Sequence, residues 1–269
     1  QPGGPFWAGP THGLFRVVDR TLVPISISSG AHMQVLSISA DGAGGLWLGD
    51  GAWLFRWNGS RLEPLVRPAD VADGVKVSVA RGDSRGRLWI GFAGGRLGFL
   101  EPQGSFHAVD AGKVADQRVH NAIHAIFEDR TGDVWIGGSA GLSRFRDGRL
   151  ATAGVNNGLP GPRVLAIMED AQHFLWLSVD RGVIRVAKQE VEKALASGRY
   201  RMQYHLYDPL DGLAGAATGT TMSMQSSDGR IWIVRGGGVT LVHPDDLASE
   251  FPVRAASPLR LEGRVANDR

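Results

Sequence analysis

His120 and His124 stand four residues apart, the spacing that sets two imidazoles on one helix face over a zinc ion. Such a pair needs a helix and a glutamate between the ligands. The surrounding "HNAIHAIFED" instead alternates as a strand does and places no glutamate there. The residues therefore read as His120 in a loop and His124 packed on a strand, with no metal site. Zero cysteines exclude a disulfide framework, thiol catalysis and zinc-thiolate sites. No G-x-S-x-G elbow is present, and the glycine-rich stretches precede strands rather than helices, which is the wrong order for cradling a phosphate. No catalytic residue, metal or cofactor is expected.

The informative spacing is longer. "DVWIGGSAGLSRF" (133–145) repeats "GLWLGDGAWLFRW" and "RLWIGFAGGRLGF" upstream. Taking the tryptophan as origin gives Trp7, Trp47, Trp89, Trp135, Trp176 and Trp232, at intervals of 40, 42, 46, 41 and 56 residues. Three positions earlier stand Gly4, Gly44, Gly86, Gly132, His173 and Gly229. Six earlier, the four central copies have Asp41, Asp83, Asp129 and Asp170. Two later come Gly9, Gly49, Gly91 and Gly137, then Ser178 and Val234. Nine later come Arg16, Arg56, Arg144 and Arg185, with Gly98 and Leu241 in the other two copies.

These positions spell a structural unit. Runs such as "VLSISAD" and "VLAIMED" have the length and bounds of strands. In the Asp-x-x-Gly that follows, the carboxylate accepts backbone N–H groups and glycine supplies a positive φ. A buried "VWIG" strand, a second turn, a "GLSRF" strand and a weaker outer strand complete four strands in about 40 residues, the size of one propeller blade. A lone sheet cannot bury both faces, so the tryptophans are expected to fill the layer between neighbouring blades. The fold class is all-β, a β-propeller of four-stranded blades over 1–252, with six repeats visible and part of a seven-bladed or longer array. Residues 253–269 read as a closing strand or the start of a β-sandwich. One helix, 188–198 in "KQEVEKALASG", explains the long fifth interval, with Gly198 as its stop.

"FEDRTGDVWIGGSAGLSRF" and "MEDAQHFLWLSVDRGVIRV" resemble the two-component regulator propeller repeat. "YDPLDGL", "SSDGRIWIVRGGGVTLVHPDDL" and the closing "FPVRAASPLRLEGRVAND" resemble the last blades and the exit of such regions. The resemblance implies the extracytoplasmic sensor region of a bacterial membrane receptor: a histidine kinase, a hybrid regulator or a diguanylate cyclase. It implies no enzyme activity. The first copy starts at "FWAG" without a leading strand, so the chain reads as a segment of a longer protein, with any export signal upstream or removed.

Rival readings are a rigid dimerisation scaffold, a propeller lyase or a glycoside hydrolase. Lyases that open cyclic peptide antibiotics share this repeat style and use a histidine with a divalent metal, for which His120 and Glu128 would be candidates. Sialidases need an arginine cluster and a tyrosine nucleophile, whereas Tyr200, Tyr204 and Tyr207 belong to the helical insertion.

A propeller's recognition surface is one mouth of its channel, built from loops and intra-blade turns. The residues before each leading strand are Gln34, Lys76, Asn121 and Arg163. The turns after the tryptophan strands offer Asp50, Trp53, Asp180, Arg181 and Arg235. Trp53 would stack on a sugar ring, and the arginines would hold hydroxyls or a carboxylate. The expected ligand is an oligosaccharide or a peptide, with homodimerisation through the receptor as a second partnership. Basic residues are scattered singly, 29 against 27 acidic ones, which disfavours nucleic acid. No apolar run approaches the roughly 18 residues that span a bilayer.

Overall fold

The computed structural model describes residues 7–8, 14–18, 21–25, 35, 37–41, 44–50, 53–66, 76–102, 104–109, 122–213, 215, 223–226, 228–236 and 238–247. They form six antiparallel sheets whose strands pair in chain order. The first holds β1 (Trp7–Ala8), β2 (Phe15–Val18) and β3 (Thr21–Pro24). The second holds β4 (Ser37–Ala40), β5 (Leu46–Gly49), β6 (Leu54–Trp57) and β7 (Leu62–Val66). The third holds β8 (Val77–Gly82), β9 (Leu88–Phe92), β10 (Leu97–Leu100) and β11 (Phe106–Ala108). The fourth holds β12 (Ile123–Glu128), β13 (Val134–Gly138), β14 (Gly141–Arg146) and β15 (Arg149–Ala153). The fifth holds β16 (Val164–Glu169), β17 (Phe174–Val179), β18 (Gly182–Ala187) and β19 (Tyr204–Tyr207), with helix α1 (Lys188–Ala196) between the last two. The sixth holds β20 (Ser223–Gln225), β21 (Ile231–Arg235) and β22 (Gly238–Val242).

The blade is four-stranded, as the repeat length implied. Complete blades are nevertheless fewer than the six expected repeats: the first and sixth sheets have three strands each among the described residues. Among the described residues, the first sheet starts at the tryptophan strand and the sixth has no strand after β22. The proposed 253–269 segment, Gln34, His120 and Asn121 lie outside the described residues. His124 sits on β12, so the strand reading of "HNAIHAIFED" holds for its described part.

The chain divides into two compact units, 1–134 with 146–150, and 135–145 with 151–269. Within the first, Leu14, Val35, Leu46, Leu48 and Trp57 form one apolar layer. A second layer sets Trp47 and Leu54, from the second sheet, against Val77, Ala80, Leu88 and Ile90 of the third. Within the second unit, Met168, Trp176 and Val183 of the fifth sheet pack on Ile231, Ile233 and Val242 of the sixth. Inside each unit the indoles are thus mortar between sheets. Trp89, Trp135 and Trp176 are essentially removed from water.

The Asp-x-x-Gly turn is built as its chemistry required. Asp170 Oδ1 accepts Gln172 N (2.9 Å) and Phe174 N (3.0 Å), while Oδ2 accepts Trp176 Nε1 (2.8 Å) and Arg185 Nε (3.2 Å). Asp41 repeats the pattern with Gly45 N (2.7 Å) and Arg56 Nε (3.0 Å), and Asp83 with Arg87 N and Trp89 Nε1 (both 2.8 Å). In the last copy Ser226 replaces the aspartate and its Oγ accepts Trp232 Nε1 at 3.2 Å. Gly44, Gly86, Gly132 and Gly229 all have φ between 77° and 94°, and His173 occupies the same left-handed region at 64°.

One departure in the repeat is only apparent. Trp47 pairs with Arg56 and Trp176 with Arg185, but Trp89 pairs with Phe99 rather than Gly98. The β9–β10 turn is one residue longer, which moves Gly98 off the arginine position. A Cβ at Gly98 would lie 2.3 Å from the Phe106 ring. The guanidinium comes instead from Arg87, whose Nε donates to Asp83 Oδ2 at 2.6 Å and whose Cζ lies 5.2 Å from the Trp89 ring.

Helix α1 ends at Ala196, with Ser197 extended (φ −141°), so Gly198 is not its stop. The terminal carbonyls are met from another loop. The buried Asn157 carboxamide lies within hydrogen-bond reach of Ala194 O, Ser197 O and Tyr200 O at 3.3, 3.2 and 3.0 Å, satisfying acceptors that a helix end leaves open. Arg144 pairs with Glu192 on the same helix.

Candidate functional site

In an antiparallel meander, the start of the first strand and the turn between the second and third strands lie at the same sheet end. The two sets of candidate residues therefore share one end of each blade. In the third sheet the link is direct: Ala93 N donates to Lys76 O at 2.8 Å, and Ala93 also bridges to Ala122, ahead of β12. The Lys76 side chain is exposed.

In the second sheet Asp50 closes its own turn, Oδ1 accepting Trp53 N at 2.6 Å. Trp53 is half-buried, its ring 6.3 Å from that of Phe55 at 34°. The indole is held beside a blade aromatic and keeps part of one surface open.

The fifth sheet brings together the densest set. Asp180 and Arg181 form the two-residue connection between Val179 and Gly182, which pair with each other. Asp180 Oδ1 accepts Arg163 Nε at 2.6 Å, and a second guanidinium nitrogen completes the ion pair. This pair is part-exposed, so salt screens it and its own contribution to stability is small. Arg181 is exposed. Gly161 matters here: a Cβ on it would sit 3.1 Å from Asp180 Oδ2.

Arg235 differs from the other candidates. It is buried, and its donors face backbone: Nη1 to Gly182 O (2.9 Å) and Val179 O (3.3 Å), Nε to Gly215 O (3.1 Å), Nη2 to Asp180 O (3.4 Å). Burial pulls its pKa down, opposed by the Asp180 carboxylate. It remains a cation, because a guanidinium is not deprotonated in proteins. The expected role of Arg235 as a ligand-facing group does not fit these partners. Sequence reasoning missed the carbonyls of Val179, Gly182 and Gly215, since a backbone acceptor carries no residue signature.

Elsewhere in the second unit, Trp176 stacks on Tyr207 at 5.5 Å and 9°. With Val183, Leu213, Ile233, Thr240 and Val242 they line an apolar gap of water-molecule size, which belongs to the core. Among the described residues, no three His, Asp or Glu side chains are grouped to hold a metal ion. No described helix is long and apolar enough to cross a membrane.

With this geometry in view, comparison places the chain among β-propellers. Residues 118–140 match the sequence model of the family described as two component regulator propeller, the repeat that the motifs resemble. The extracellular domain of a hybrid two component system from B. thetaiotaomicron superposes with a TM-score of 0.70 at 19% identity, over 91% of this chain and 33% of that one. Virginiamycin B lyase from Staphylococcus aureus superposes at 0.57 with 14% identity, over 81% of this chain and 69% of the lyase. A protein described as a gluconolactonase superposes at 0.57 with 13% identity, over 89% and 88%. At these identities the likeness shows the fold alone, and this chain spans a third of the length of the two component domain. No curated protein matches the sequence.

Proposed function

We propose that this chain is part of the extracytoplasmic sensor propeller of a bacterial membrane-bound signalling receptor, acting by recognition rather than catalysis. The observation that carries the reading is the agreement of three features. The repeat at 118–140 fits the two component regulator model. The fold superposes on an extracellular two component domain. The aspartate and arginine of the repeat are spent on holding the blade together, as Asp170 and Arg185 are. What remains for recognition is, in each unit taken by itself, one end of its blades: Asp50, Trp53 and Lys76 in the first, and Arg163, Asp180 and Arg181 in the second. These groups suit hydroxyls, sugar rings and carboxylates. A ligand there would act through its differential affinity for two receptor states.

A thermal-shift and calorimetric screen against oligosaccharides and short peptides tests this. Binding that is weakened by Arg163→Ala or Arg181→Ala supports it. No shift, with a concentration-dependent dimer, would favour a scaffold instead. Likeness to the lyase keeps one further reading open, and turnover of a cyclic peptide followed by mass spectrometry would establish it in place of the sensor.

A further inference from the structure

We propose that Arg235 is a positioning residue: a buried cation that fixes the Val179–Gly182 turn and, through Asp180, orients the Arg163 side chain at the blade end. The inference rests on the recognition reading above and deepens it, moving Arg235 from the contact surface to the support beneath it.

Three observations converge. The first is placement. Three residues after the first five repeat tryptophans stand Pro10, Asp50, Phe92, Gly138 and Val179, and only the last copy puts an arginine there. From β21 the side chain crosses to the neighbouring sheet and meets both ends of the turn that joins β17 to β18. The second is the shape of the contact. One nitrogen reaches Val179 O and Gly182 O together, at 3.3 and 2.9 Å, while another reaches Asp180 O at 3.4 Å. Two carbonyls flanking a two-residue connection, bound by one nitrogen, fix the width of that connection. The planar fork also sends Nε to Gly215 O at 3.1 Å, tying in the chain that leads to the sixth sheet. A lysine ammonium, a point donor on a flexible stem, cannot span both directions. The third is what the turn carries. The Asp180 carboxylate accepts Arg163 Nε at 2.6 Å and lies against Gly161, so its orientation sets that of the exposed guanidinium.

The test compares the 269-residue chain with its Arg235→Gln and Arg235→Lys variants by amide hydrogen exchange and by the Arg163 Nε–H resonance. In Arg235→Gln the amides of Asp180, Arg181 and Gly182 should exchange at least about tenfold faster, as local opening becomes easier. The Arg163 resonance should broaden, while exchange in β8 and β9 stays unchanged. Arg235→Lys, the milder variant, should recover part of both signals. A turn that exchanges at the parent rate with an unaltered Arg163 resonance would overturn the proposal, as would a loss of protection spread evenly over the chain. Neither readout needs a ligand. Failure of the screen with Arg163→Ala would sink the recognition site, and failure here would sink only the role of Arg235.

Discussion

The carboxylate of Asp170 is the anchor of the Trp176 indole: Oδ2 accepts Nε1–H at 2.8 Å, in a site that solvent does not reach. The same carboxylate serves two turn amides and Arg185. Removing it takes an acceptor from several buried donors and the carboxylate from the buried Arg185 at once, a change that costs about 3–5 kcal/mol where a buried pair is broken. Asp170→Ala should lose that much in urea unfolding. Asp170→Asn, keeping one acceptor oxygen, should lose less. Equal losses in the two variants would show that the charge, which both lack, and not the turn acceptor that asparagine keeps, is what the residue supplies.

His173 holds a left-handed backbone (φ 64°) where the other five copies have glycine. A non-glycine residue there carries a cost of roughly 1–2 kcal/mol. Its ring contacts Glu169 at 3.2 Å from an exposed position, a contact worth a few tenths of a kcal/mol at most. His173→Gly should therefore raise the melting temperature, and His173→Val should lower it. A His173→Gly variant that melts earlier than the parent would mean that the Glu169 contact outweighs the backbone.

Val183 and Val239 occupy equivalent positions in the fifth and sixth sheets, yet Val183 is fully buried and Val239 is 54% exposed. Val183→Asp would leave an unpaired charge against Trp176 and Ile233 and should unfold the second unit or cost more than about 3 kcal/mol. Val239→Asp should stay within about 0.5 kcal/mol of the parent, as surface changes do. Circular dichroism melts on both variants separate the cases, and a large loss at Val239 would show that its face is covered in solution.

Glu190 is pushed up by burial, but hydrogen bonds from Lys193, Gln203 N and Tyr200 outweigh this and hold its carboxyl below the usual glutamate value. A depressed folded pKa contributes stability above the unfolded value, near 4.3, and loses it as pH falls through the folded pKa. The attachment of α1 should loosen only in acid, below about pH 4. Far-ultraviolet dichroism and Tyr200 fluorescence against pH would show the step. Glu190→Gln should already be loosened at neutral pH and show no such step.

Periodicity alone identified the blade, because burying two faces of a small sheet imposes the same tryptophan on every copy and the same aspartate and turn glycine on most of them. The Asp170 turn and the indole layer were legible for that reason. The Gly98 position was misaligned, since a turn longer by one residue shifts register without altering composition. Gly198 is not needed as a stop because the acceptors at the end of α1 are met by Asn157, forty residues away in sequence but adjacent in space.

By itself, then, the sequence determined what recurs: strand, turn, indole and the all-β class, all products of short-range pattern and local hydrogen bonding. Tertiary structure decided which side chains are free. Arg163 and Arg235 are both arginines at the same end of a blade, and nothing in their sequence neighbourhoods separates them. One meets a carboxylate in water, the other is enclosed by carbonyls of a neighbouring sheet. Burial and partner identity depend on contacts between residues 50 or more positions apart, and no local pattern encodes them.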